Sequence, residues 1–195
     1  MNYPLNISFK AIAFSNQGTV TDASGGVILF VKQKAFKLRE SITVFTDVAQ
    51  TNPICTIQTR KIIDFSAQYY FADMQGTPLG SIRRAGGRSL WKADYTVLDN
   101  DGNPLMKINE ESGWVKVLDS LISDIPLVGM FSGYLFHPSY LATRATGSPA
   151  MRMTKQPAFW EGRFQLQKLG PMNPREELNL FLSFMMLVLL ERRRG

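Results

Sequence analysis

At 195 residues, with 45% hydrophobic and 19% charged residues, the chain is long enough for a substantial core and has ordinary globular composition. Its one cysteine, Cys55, excludes an intramolecular disulfide and any cysteine-rich zinc site. The formal net charge of +6 is unevenly placed: residues 1–31 carry one base and one acid, residues 93–195 carry 11 of each, and residues 32–92 carry 10 bases against 4 acids. A one-sided basic segment points to an anionic partner, lipid headgroup or nucleic acid, or to a solvated rim of lysines and arginines.

The opening Met1-Asn2-Tyr3-Pro4-Leu5 has neither a charged leader nor a long apolar run, so it reads without a signal peptide. With the single cysteine, this suggests a reducing compartment. Strands are expected at 7–14 and 26–32. The chain then repeats itself. Asp47, Asp73 and Asp99 stand 26 residues apart, each closing an apolar run and leading through a turn to a proline, Pro53, Pro78 or Pro104. Aspartate opens turns by accepting backbone N–H groups, and the flanking runs are rich in β-branched and aromatic residues. Three similar hairpins in tandem predict an antiparallel meander.

Beyond the repeat, Trp114, Leu118, Leu121, Ile122 and Ile125 fall at helical spacing, and Pro126 would end that helix. An irregular apolar connection follows at 129–136, then strands at 139–145, 150–155 and 162–168. The last apolar block, 178–190, is 13 residues long, whereas a membrane span needs about 20. Pro174, Glu176 and Glu177 mark a helix start, and Arg192, Arg193 and Arg194 suit its negative end. Residues 174–192 therefore read as a helix apolar on all sides, which needs a wall around it. A closed barrel of about twelve strands has a lumen too wide for its own side chains, and the helix would fill it. The expected fold is mainly β, with 1–195 a single barrel domain around the core helix 174–192.

This layout resembles the tubby C-terminal-like superfamily, in its LURP-one-related and phospholipid scramblase branch. The residues that carry the resemblance are 53–61 (Pro-Ile-Cys-Thr-Ile-Gln-Thr-Arg-Lys), Tyr69-Tyr70-Phe71, 78–84 (Pro-Leu-Gly-Ser-Ile-Arg-Arg) and the closing apolar helix; the similarity runs from about Val27 to Arg193. It implies a twelve-stranded barrel around a central C-terminal helix. Relatives in that superfamily bind phosphoinositides or are associated with lipid scrambling. The scramblases carry an acidic calcium segment before the last helix. Here 165–174 holds no carboxylate, and the proline-rich leader and clustered cysteines are missing, which argues against a calcium-regulated scramblase.

The best candidate site is Arg60 and Lys61 with Arg83, Arg84 and Arg88, widened by Lys92 and by Lys32, Lys34, Lys37 and Arg39. Arginine forks suit phosphate oxygens, and Gly86-Gly87 would let the backbone approach one. The competing account is turn residues kept polar for solubility. The stretch 99–103 superficially resembles a calcium loop, but its glycine comes fourth rather than sixth, so a hairpin turn is expected. His137 is the one histidine and has no ligand-spaced partner; Glu110-Glu111 with Asp94 could pair carboxylates, but nothing singles them out. Phosphate loops, dinucleotide motifs and nucleophile elbows are absent. Trp91, Trp114 and Trp160 are either core or interfacial.

The expectation is thus a non-enzymatic, cofactor-free cytoplasmic protein without a transmembrane span, peripheral at an anionic membrane that it binds through a basic rim. The alternative is a structural or protein-interaction scaffold without a small ligand. A scramblase-type or nucleic-acid-binding role ranks third.

Overall fold

The computed structural model describes residues 1–12, 15–34, 41–59, 68–84, 94–111, 138–157 and 162–192. Four strands come first: β1 (Leu5–Ile12), β2 (Ser15–Thr21), β3 (Val27–Lys34) and β4 (Ser41–Phe45). The middle of the chain gives β5 (Pro53–Thr59), β6 (Gln68–Asp73), β7 (Pro78–Arg84), β8 (Asp94–Leu98) and β9 (Pro104–Glu111). Then come β10 (Ser139–Arg144), β11 (Pro149–Gln156), β12 (Gly162–Lys168) and the helix α1 (Pro174–Arg192). Each strand pairs antiparallel with its sequence neighbours, and β1 pairs with β12 from Leu5↔Leu166 to Phe9↔Gly162. That seam closes the sheet into a barrel and removes every strand edge.

No local pattern marks β2. Its run Ser-Asn-Gln-Gly-Thr-Val-Thr lacks an apolar alternation. Gly18 and Val20 are buried on its inward face, and Gly18 is small because the Phe9 ring of β1 covers it: a Cβ there would lie 2.5 Å from Phe9 Cε1. The first strand also starts two residues earlier than expected, at Leu5, and Phe14, its expected end, lies outside the described residues. The helix expected around 114–125 and the connection 129–136 lie outside them too, as do Trp91, Trp114, Trp160 and His137.

The hairpin repeat extends further than the three aspartates show. Five turns share one build, a backbone N–H bonded three residues back: Gly25 to Asp22, Gln50 to Asp47, Gly76 to Asp73, Gly102 to Asp99 and Gly147 to Arg144, at 2.9–3.2 Å. The donor residue has positive φ each time, from 62° at Gln50 to 87° at Gly102. Glycine takes that conformation without a Cβ penalty, so Gln50 is the odd member. Asp73 Oδ1 accepts from the amides of Gln75 at 3.0 Å and Thr77 at 2.7 Å, and Asp99 Oδ1 from Asp101 at 2.9 Å and Asn103 at 2.7 Å. Beyond each turn the register slips by one residue, leaving a bulge.

These bonds favour the ionised carboxylate. The backbone amide of Thr51 holds Asp47 below the ordinary carboxylate value of 3.8, the amide of Thr77 does so for Asp73, and that of Asn103 for Asp99; the Ser24 hydroxyl does so for Asp22. A lowered native pKa stabilises the fold above the unfolded-state value and is lost as pH falls through the native one. Denaturation midpoints are therefore expected to stay level from neutral pH to about 4 and fall below it. Asp73→Asn with Asp99→Asn should flatten that fall; an unchanged acid profile in the double variant would show that these turns do not contribute.

All five turns crown one end of the barrel, hereafter the turn end, and the remaining strand connections leave from the loop end opposite. The helix enters at the turn end. Asn173 Oδ1 caps it by accepting the Glu176 amide at 2.9 Å. Its 19 residues span about 28 Å along the lumen. From Leu180 to Leu189 no residue is more than 3% exposed, because the strands surround the helix on every side. Ser183 Oγ donates to the Asn179 carbonyl at 2.8 Å, and Asn179 Nδ2 to the Leu98 carbonyl at 2.8 Å, so the helix's two buried polar side chains each find a backbone acceptor. No helix among the described residues is long and apolar enough to cross a membrane.

Candidate functional site

The topology brings several strand ends of the basic segment to one end of the barrel. β3 ends at Lys34, β5 at Thr59 and β7 at Arg84, all at the loop end, and β8 starts there at Asp94. Arg60 directly follows Thr59, but Arg60, Lys61, Arg88 and Lys92 lie outside the described residues, as do Lys37 and Arg39. Of the six expected contacts, Arg83 and Arg84 are described.

Strand alternation separates those two. Ile82 is fully buried and Arg84, two residues on, shares its inward face; Arg83 points outward and is exposed. Arg83 pairs in register with Gln68 and Thr96, and beside it Gln68 Nε2 donates to Ser81 Oγ at 2.9 Å. Arg84 pairs with Tyr95, which is 1% exposed, and lies at the lumen mouth with Tyr69. Burial pushes the Tyr69 phenol up, its neighbour Tyr95 adds to that, and Arg84 pulls the other way. The two arginines therefore cannot fork one phosphate together. Arg83 faces solvent, while Arg84 is half-buried among tyrosines. Sequence reading missed this tyrosine setting, although the two-residue period of β7 already puts position 84 on the face of Ile82.

Lys32 does not join them. It lies on the outer face of β3, and its Nζ donates to Gln50 Oε1 at 2.9 Å, directing the ammonium toward the turn end. The loop end also holds acids: Asp94 opens β8, and Glu110 and Glu111 close β9, with Glu111 Oε1 accepting from Arg152 Nη2 at 2.8 Å. Cys55 is 1% exposed on β5, and burial pushes its thiol up to about 12, so it stays a protonated packing group at neutral pH. Residues 99–103 form one of the five hairpin turns, as expected. No group of three metal-ligating side chains occurs among the described residues.

No curated protein and no solved structure matches the chain. Residues 27–116, from the first residue of β3 to just beyond β9, match the family model described as LURP-one-related. That stretch holds all three aspartate hairpins and the whole basic segment, and stops short of α1. That match agrees with the resemblance carried by the hairpin motifs.

Proposed function

We propose that this LURP-one-related barrel is a non-enzymatic module that binds anionic phospholipid headgroups, phosphoinositides among them, at its loop end. The observation that carries this reading is the charge asymmetry. The whole net charge of +6 comes from residues 32–92, and within that segment β3, β5 and β7 end, and β8 begins, at one end of the barrel. Arg83 is the exposed contact and Arg84 guards the lumen mouth; Arg60, Lys61, Arg88 and Lys92 add charge from the adjoining connections. The helix takes no part in anchoring, because its apolar surface is spent inside the barrel.

Each base near an anionic surface contributes about 1 kcal/mol, so reversing one charge removes about 2 kcal/mol, roughly a thirty-fold loss of partitioning. Arg83→Glu is therefore expected to weaken co-sedimentation with anionic liposomes about thirty-fold and to leave the thermal midpoint nearly unchanged, since the side chain is exposed. Arg84→Glu added to it should bring the loss to roughly a thousand-fold. Binding to neutral liposomes should be absent, and salt should reverse binding to anionic ones. Full binding by the double variant would rule out this end as the site.

A further inference from the structure

Three of the five turns share more than a backbone. At Asp22, Asp73 and Asp99 one carboxylate oxygen accepts the amides two and four residues further on. These are Ser24 and Gly26 at 2.9 and 3.1 Å, Gln75 and Thr77 at 3.0 and 2.7 Å, and Asp101 and Asn103 at 2.9 and 2.7 Å. Side chains at the same positions add to the cradle. Ser24 Oγ donates to Asp22 Oδ1 at 2.6 Å, Asn103 Nδ2 to Asp99 Oδ2 at 3.1 Å, and the Thr77 side chain to Asp73. Each turn thus holds one anionic group among converging donors.

The Arg144 turn has the same backbone. The Gly147 amide donates to the Arg144 carbonyl at 2.9 Å and the Arg144 amide to the Ser148 carbonyl at 3.0 Å. Gly147 has φ of 82°, against 85° at Gly25, 86° at Gly76 and 87° at Gly102. The donors are in place too, the amides of Thr146 and Ser148 and a hydroxyl on each. What differs is the first residue, a cation where the sister turns have a carboxylate. Among the described residues neither amide has an acceptor, and the two hydroxyls bond each other at 2.9 Å. With the backbone unchanged, these amides converge on the point that a carboxylate oxygen takes in the sister turns. Both residues are exposed, so a ligand can reach them.

Arg144 supplies the charge. Its Nη2 donates to the Pro171 carbonyl at 2.5 Å, and Arg144 and Ser148 line one open hollow of about 670 Å³. Glu176 is the one carboxylate among the described residues lining it, and the Asn173 amide lies 3.4 Å from its Oε2. Elsewhere the rim is acidic, with Asp22, Asp47, Asp73, Asp99 and Asp101 on the other turns, which repels an extended anionic surface. The hollow fits a small anion instead.

We propose that the Arg144 turn binds a small soluble oxyanion, phosphate or a carboxylate. One of its oxygens takes the amides of Thr146 and Ser148, and Arg144 provides the counter-charge. The site lies at the turn end and is independent of lipid binding at the loop end.

Amide resonances of the isotope-labelled chain report on this site directly. Inorganic phosphate, titrated at constant pH and ionic strength, should shift the Thr146 and Ser148 amides saturably. The amides of Gln75, Thr77, Asp101 and Asn103, already bonded to aspartate, should stay in place. Acetate as a second probe separates the sources: saturation by both means that any oxyanion is taken, and saturation by phosphate alone means a phosphate site. Arg144→Asn can place its own Oδ1 on the two amides, as aspartate does, and should fold normally and lose the response. Arg144→Ala leaves the amides without an acceptor and should respond with weaker affinity. The proposal is overturned if neither probe shifts Thr146 and Ser148 saturably, or if the sister amides shift equally. It is overturned too if Arg144→Asn responds like the wild-type chain. The same holds if Arg144→Ala loses the response as completely as Arg144→Asn, since charge alone would then hold the anion.

Discussion

Phe184→Asp is expected to abolish the folded state. Phe184 lies midway along α1, is 0% exposed, and belongs to a ten-residue stretch that the barrel surrounds completely. Removing a buried phenylalanine costs about 3–5 kcal/mol in lost contacts and cavity. Burying an unpaired carboxylate costs several kcal/mol more, and water cannot reach it without opening the sheet. Whole domains are stable by only about 5–15 kcal/mol, so the two terms consume the margin. Circular dichroism should show loss of the cooperative melt, with the chain aggregating as the helix is expelled. A soluble variant that melts normally would mean that Phe184 faces water or a partner, contrary to the barrel described.

Gly80→Ala should be the most damaging exchange of a glycine among the described residues, costing about 2–5 kcal/mol through two separate penalties. The first is conformational: Gly80 has φ of 139°, a region that L side chains avoid. The second is steric, since a Cβ at Gly80 would lie 2.6 Å from Cγ of Asn179, where β7 meets the helix. Asn179 cannot easily give way, because its Nδ2 holds the Leu98 carbonyl on β8 and it is 2% exposed. Asn179→Ala alone should cost about 1–3 kcal/mol by leaving that carbonyl unpaired. A double-mutant cycle should find the pair coupled, the second change costing less once the first is made. Additive costs would mean that strain at φ, rather than the contact with Asn179, makes glycine necessary at position 80.

Three particulars show how far local pattern reaches. The expected hairpins around Asp47, Asp73 and Asp99 all form, because a turn is a short-range object: an acceptor side chain, a residue tolerant of positive φ, and a proline. The same build at Asp22 and Arg144 went unread, since the first lacks the proline and the second lacks the aspartate. The arginine pair was legible as a charge cluster, and the two-residue period of β7 puts its members on opposite faces. That Arg84 meets Tyr95 depends on the register between β7 and β8, a relation between distant segments. Lys32 illustrates the same point, since its partner Gln50 lies 18 residues away across a turn.

The helix, the hairpins and the concentration of charge in 32–92 are written in local pattern, because each depends on residues close together in the chain and on their periodicity. That pattern also implied closure, since an all-apolar helix of 13 core residues requires a wall on every side. The place of β2 is set by packing between strands, for its glycine is made necessary by Phe9 on β1. That the turns share one end follows from the antiparallel alternation of a meander, but its closure does not. The seam between β1 and β12 joins segments about 150 residues apart through contacts whose loop-closure cost no local pattern records.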